Sequence, residues 1–125
     1  MSAAATGGVL LLVEDDEAIG RLVKAYLEQQ DGWRVVWRRT GEDALNELRG
    51  QPVRVVVLDI GLPGIDGYEV AKRIRQDEHG RRMLLLALSG YDAPPDWAQS
   101  ESGFDHHLVK PVDPDQLARL LGDGV

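Results

Sequence analysis

The chain has 125 residues and no cysteine, and its 21 acidic and 14 basic side chains leave a net charge of −7. That length fits a single domain; it carries no disulfide, thiolate metal site or cysteine nucleophile, and its acidity argues against a dedicated DNA- or RNA-binding surface, which rests on phosphate neutralisation. No apolar stretch approaches the roughly 20 residues of a membrane span, and the N-terminus lacks a basic region followed by an apolar core and cleavage site, so the sequence reads as soluble and cytoplasmic.

Residues 1–8 are small and polar, a flexible lead-in without chemistry. Val9 to Val13 is an apolar run of strand length that ends in three successive carboxylates, Glu14, Asp15 and Asp16. Such a cluster repels itself unless something positive sits within it. Ile19, Leu22, Val23, Tyr26 and Leu27 then recur at helical spacing, with Asp16 placed as N-cap and Gly32 just past the end. Trp33, Val35 and Trp37 alternate along a strand to Arg38 whose exposed arginines mark a sheet edge, and both tryptophans are expected to pack against helices. A short helix follows from Gly41 to Arg49, with Ala44, Leu45 and Leu48 turned inward.

After Pro52, the β-branched run Val53 to Leu58 reads as a strand buried on both faces, and Asp59 ends it before a loop rich in Gly and Pro. A helix near Asp66 to Gln76 offers Val70, Ala71 and Ile74 to the core. Met83 to Leu88 is a second doubly buried run, ending in Ser89 and Gly90. Between Asp92 and Ser102, Pro94 and Pro95 are expected to open one short helix, since proline fits a first turn and not a helix interior. Asp105 to Val109 forms a last short strand ending in Lys110 and Pro111; Leu117, Leu120 and Leu121 are the stripe of a final helix, and residues 122–125 are a tail.

Five strands alternating with five helices demand a mostly parallel sheet with helices on both faces. No glycine-rich phosphate loop follows the first strand, which argues against a nucleotide-binding Rossmann domain. In a parallel sheet the carboxyl ends of all strands share one edge, so Glu14, Asp15, Asp59, Ser89 and Lys110 are expected to converge there. Oxygen ligands without imidazole or thiolate suit Mg2+. Asp59 then serves as a nucleophile, and Lys110 and Ser89 supply a charge and a donor to an incoming phosphoryl group. The plain alternative for Asp59 alone is a strand-terminating turn residue.

The stretches LLVEDDE, VVVLDIGLPGIDGYEV, LLLALSG and HLVKP are similar to the four signature stretches of the response-regulator receiver domain, the CheY-like phosphoacceptor of two-component signalling, and the resemblance spans residues 9–121. It implies a flavodoxin-like (βα)5 three-layer sandwich, α/β in class, with parallel strands in the order 2-1-3-4-5. It further implies that Asp59 accepts a phosphoryl group from a histidine kinase or a histidine phosphotransfer protein. Mg2+ would be held by Asp15, Asp59 and the backbone carbonyl of Gly61, with Glu14 acting mainly through water. Ser89 matches the hydroxyl residue that turns toward the phosphoryl group, Lys110 matches the family's lysine, and the Lys110–Pro111 bond is expected to be cis. The implied protein is no enzyme acting on a separate substrate; it is a phosphoacceptor with self-catalysed phosphotransfer and autodephosphorylation, either monomeric or dimerising on phosphorylation.

Departures from the family pattern are informative. His107 stands where many receivers carry a switch Tyr or Phe, and it is either a pH-responsive rotameric switch or a surface imidazole at a strand edge. The segment after Pro94 reshapes the usual partner-binding face, with Trp97 as an interface candidate. His79 and His106 read as surface residues. With no output domain after the final helix, action through an unidentified downstream protein is expected, as a stand-alone regulator or as the C-terminal receiver of a hybrid histidine kinase. Two rivals are weighed against this reading. A phosphatase of the haloacid-dehalogenase type also uses an aspartyl nucleophile but needs a second Asp where this chain has Gly61. A receiver-like module that binds partners without phosphorylation is the other.

Overall fold

Leu10 to Val13 and Val55 to Leu58 are wholly buried because both faces of these strands meet helices. The computed structural model describes residues 8–29, 32–90 and 103–124. Its elements are β1 (Gly8–Val13), α1 (Glu17–Glu28), β2 (Trp33–Arg38), α2 (Gly41–Gly50), β3 (Val55–Asp59), α3 (Gly67–Gln76), a 3-10 turn (Gly80–Arg82), β4 (Leu84–Ser89), β5 (His106–Val109) and α4 (Pro114–Gly124). All four strand pairings are parallel, in the order β2-β1-β3-β4-β5. This is the flavodoxin-like architecture the sequence implies. The helix expected after Pro94, together with Trp97, lies outside the described residues.

Alternate residues of each strand feed two separate cores. Leu10, Leu12, Val55, Val57, Leu86 and Leu88 pack on α1 through Val23 and Leu27 and on α4 through Leu117 and Leu121. Leu11, Val13, Val56, Leu58 and Leu85 pack on Ala44 of α2 and on Val70, Ala71 and Ile74 of α3. The continuous apolar runs of the sequence are therefore two interleaved stripes, one for each layer of helices. Asp16, Thr40 and Asp66 cap α1, α2 and α3, each side chain accepting a backbone N–H three residues on.

Four strand starts differ from expectation by a residue or two: β1 begins at Gly8 rather than Val9, β4 at Leu84 rather than Met83, and β3 and β5 also begin later. Val53 is buried but precedes the ladder, which starts at Val55. Asp105 precedes β5 because its own carboxylate takes part in the pairing: its Oδ2 accepts Leu85 N at 2.9 Å while its N–H donates to Leu85 O at 2.8 Å. That carboxylate also meets Arg75, whose guanidinium donates to the carbonyls of Gly103 (2.9 Å), Gly80 (2.9 Å) and Met83 (2.7 Å) and to Asp105 Oδ2 (2.9 Å). One side chain of α3 thus ties together the 3-10 turn, the start of β4 and the approach to β5.

Asp105 is half-exposed, so most of what Arg75 contributes comes from the three carbonyls rather than from the ion pair. Arg75→Ala is expected to lower unfolding stability by about 2 kcal/mol in urea titration. Arg75→Lys should recover less than half of that, because an ammonium lacks the planar fork; full recovery by lysine would show that charge alone matters here.

Candidate functional site

Parallel strands deliver their carboxyl ends to one edge, and four of them place functional groups there. Glu14 follows β1, Asp59 ends β3, Ser89 ends β4 and Lys110 follows β5. Glu14 is completely buried. Its Oε2 accepts the N–H of Asp16 at 3.1 Å, and its Oε1 lies 2.8 Å from Lys110 Nζ without hydrogen-bond alignment, so charge rather than a directed bond holds that oxygen. Asp59 is nearly buried; its Oδ1 accepts Gly61 N at 3.0 Å and its Oδ2 accepts from Lys110 Nζ at 3.3 Å. One oxygen from each of Glu14, Asp15 and Asp59 lies within 4.8 Å of the others.

Close backbone packing keeps this edge in place. Ile60 N donates to Leu88 O at 3.0 Å and Gly67 N to Ile60 O at 3.2 Å. A Cβ on Gly67 would sit 2.5 Å from Ile60 Cα and 2.8 Å from the carbonyl oxygen of Asp59, so only glycine lets α3 start this near the backbone of Asp59. Lys110 N donates to Ser89 O at 2.7 Å, and the Lys110–Pro111 peptide is cis, as expected. Ser89 is buried; His107 is half-buried on β5 opposite Ala87, and His79 and His106 are exposed. Asp16 serves as the α1 cap and not as a third member of the acidic pair.

Burial pushes the Glu14 carboxyl up from its ordinary 4.5 to about 7, against the lowering effect of Lys110 and of the Asp16 N–H and with Asp59 adding to the rise. Burial pulls the Lys110 ammonium the opposite way, yet Glu14 and Asp59 outweigh it and hold the group above its ordinary range. A protonated Glu14 would lose much of its hold on Lys110, but Asp59 faces the same ammonium, so the cation persists in either state of Glu14. Three carboxylates against one ammonium make a site that attracts further positive charge. All donors are hard oxygens, and the buried Glu14 Oε1 has no aligned donor, so the residues present fit Mg2+.

Two contributors escape sequence reasoning. The indole N–H of Trp37 donates to Glu14 O at 3.0 Å, and Arg39 donates to Asp15 O at 2.7 and 3.2 Å. No spacing signals these contacts; they follow from the parallel register that sets Val13 beside Arg38. A cavity of about 810 Å³ lined by apolar Leu45, Leu48 and Ile74 and by polar Arg49, Arg73 and Asp77 holds none of the site residues.

The family model of the response regulator receiver domain matches residues 10–121. The transcriptional regulatory protein AfsQ1 of Streptomyces coelicolor is 45% identical over 103 residues, covering 82% of this chain and 44% of its own length. The sensor histidine kinase GacS of Pseudomonas protegens is 33% identical over 116 residues, which are 90% of this chain and 12% of that protein. The chain spans less than half the length of the first curated relatives it matches. Among solved structures, the receiver domain of the sensor histidine kinase PA1611 of Pseudomonas aeruginosa superposes with a TM-score of 0.84 at 30% identity, covering 94% of this chain and 97% of that one; it holds a magnesium ion in its active-site cleft. The chemotaxis response regulator CheY4 of Vibrio cholerae gives 0.86 at 26% identity, covering 96% and 100%.

The elevated Glu14 pKa sets a pH dependence for the metal-free protein. Between its ordinary 4.5 and about 7 the folded state keeps a proton that the unfolded state has released, so stability falls as pH rises through that window. Relative to Glu14→Gln, wild type should be equally stable near pH 4 and on the order of 3 kcal/mol less stable above pH 7.5, read by urea unfolding in chelator. A difference that does not vary with pH would contradict the assigned cause.

Proposed function

Because the chain belongs to the response regulator receiver domain family of two-component systems, we propose that Asp59 accepts a phosphoryl group from the phosphohistidine of a histidine kinase or a histidine phosphotransfer protein. The supporting observation is the setting of Asp59: one oxygen on a backbone N–H, the other on Lys110, and two further carboxylates within 4.8 Å. A carboxylate oxygen attacks phosphorus as the phosphorus–nitrogen bond of the donor breaks; an acyl phosphate forms and the imidazole leaves, taking up a proton.

Glu14, Asp15, Asp59 and the backbone carbonyl of Gly61 would hold Mg2+, Glu14 mainly through water. The bound ion supplies neutralisation of the negative charge gathered between the acceptor and the phosphoryl oxygens. Lys110 already contacts Asp59 Oδ2 and would share its ammonium with a phosphoryl oxygen. Its backbone tie to Ser89 couples the two groups, so the Ser89 hydroxyl can follow the new charge.

Phosphorylation adds a charge of about −1.5 to −2 and three acceptor oxygens, which Ser89 and Lys110 meet by moving. Ser89 and His107 are the residues assigned to the switch, and the readout is a population shift on the surface near β5 and α4 that changes binding to a downstream protein. Hydrolysis of the acyl phosphate by water returns the site to its resting state. The protein is accordingly a phosphoacceptor of the cytoplasm with protein partners, monomeric or dimerising on phosphorylation, and not an enzyme acting on a separate substrate.

Intact mass measured with Mg2+ and acetyl phosphate tests this. Wild type should gain one phosphoryl group, and neither Asp59→Asn nor chelator-treated wild type should gain any. No gain in folded, Mg2+-bound wild type would contradict the proposal and favour a module that binds partners without phosphorylation.

A further inference from the structure

The acidic pair sits on a loop whose backbone is held by β2, the edge strand, and by Arg39 just after it. Glu14 N donates to Arg38 O at 3.1 Å, Trp37 Nε1 donates to Glu14 O at 3.0 Å, and the Arg39 guanidinium donates twice to Asp15 O, at 2.7 and 3.2 Å. The indole packs closely on α1 at Gly20, where an added Cβ would come within 2.1 Å of a ring carbon. Asp16 N returns to Glu14 Oε2 at 3.1 Å, and Asp16 itself caps α1 through Ile19 N at 2.9 Å. The peptide planes on both sides of Asp15 therefore have side-chain donors fixing their carbonyls, and the Asp15 and Glu14 carboxylates leave a backbone with little rotational freedom.

We propose that Trp37 and Arg39 are positioning residues for the cation site: by holding the carbonyls of Glu14 and Asp15 they pre-aim both carboxylates at the oxygen cluster shared with Asp59. The inference rests on the Mg2+ site proposed above. Groups that orient ligands through hydrogen bonds set metal affinity without touching the ion. Electrostatics alone predicts the opposite for Arg39, since removing a positive charge beside a cation site tightens cation binding. The sign of the change at Arg39 therefore separates positioning from charge.

The test is calorimetric titration of Mg2+ into the metal-free full chain. Trp37→Phe keeps the ring and loses the N–H; Arg39→Gln loses the fork and the charge. Each should weaken Mg2+ binding about five-fold or more. Trp33→Phe, at the far end of β2, where Arg54 lies 5.8 Å from the ring centroid, should leave affinity unchanged. Should Trp37→Phe melt below the titration temperature, the exposed Arg39 carries the test alone. Unchanged or tighter binding in Arg39→Gln, with wild type binding Mg2+, overturns the positioning role and leaves the cation site standing. Absence of Mg2+ binding in folded wild type overturns the cation site itself, and the inference with it.

Discussion

One ammonium faces more carboxylates than it can neutralise, and the rest of the site depends on that imbalance. Lys110 reaches Glu14 at 2.8 Å and Asp59 at 3.3 Å, while Asp15 adds a third carboxylate oxygen within 4.8 Å of both acids. Burying Glu14 completely beside Asp59 costs free energy, which the protein meets by pushing the Glu14 carboxyl up to about 7. A divalent cation relieves the same excess and leaves the acids ionised. This uncompensated charge is the physical basis of the Mg2+ site and of the phosphoryl chemistry proposed for Asp59.

The scaffold tolerates this because charge and packing are segregated. Two cores rich in Leu and Val flank the sheet, and the buried runs Leu10–Val13 of β1 and Val55–Leu58 of β3 carry the charged groups out to one end. At the opposite end Arg75 meets three carbonyls and one carboxylate, a balanced set that clasps the start of β4 and the approach to β5. The strand that leads to Lys110 is therefore anchored where it begins, at the end away from the carboxylates. Gly67 and Gly20 serve the same arrangement from the helix side, letting α3 approach the Asp59 carbonyl and α1 approach the Trp37 ring.

Much of this was legible in the residues. The buried runs gave the strands, the cap at Asp16 gave the start of α1, and parallel topology alone was enough to bring Glu14, Asp15, Asp59, Ser89 and Lys110 to one edge. What escaped depends on register and on side chains acting as backbone. Trp37 read as a packing residue because its N–H partner is 23 positions away, and Arg39, just past the strand, drew no reading because its partner is 24 positions away. Asp105 read as a strand residue because nothing in its spacing shows that its carboxylate replaces a ladder acceptor. The 3-10 turn at Gly80–Arg82 has no periodicity to detect and exists because Gly80 fits directly against the Ile74 carbonyl.

The central claim is that the excess of carboxylates makes this cleft a cation site before any phosphoryl group arrives. A 13C NMR titration of the Glu14 side-chain carboxyl, with and without saturating Mg2+, addresses it directly. The account predicts an apparent midpoint near 7 in the metal-free protein and a marked fall when Mg2+ is present. A midpoint near the ordinary 4.5 that ignores Mg2+ would contradict it.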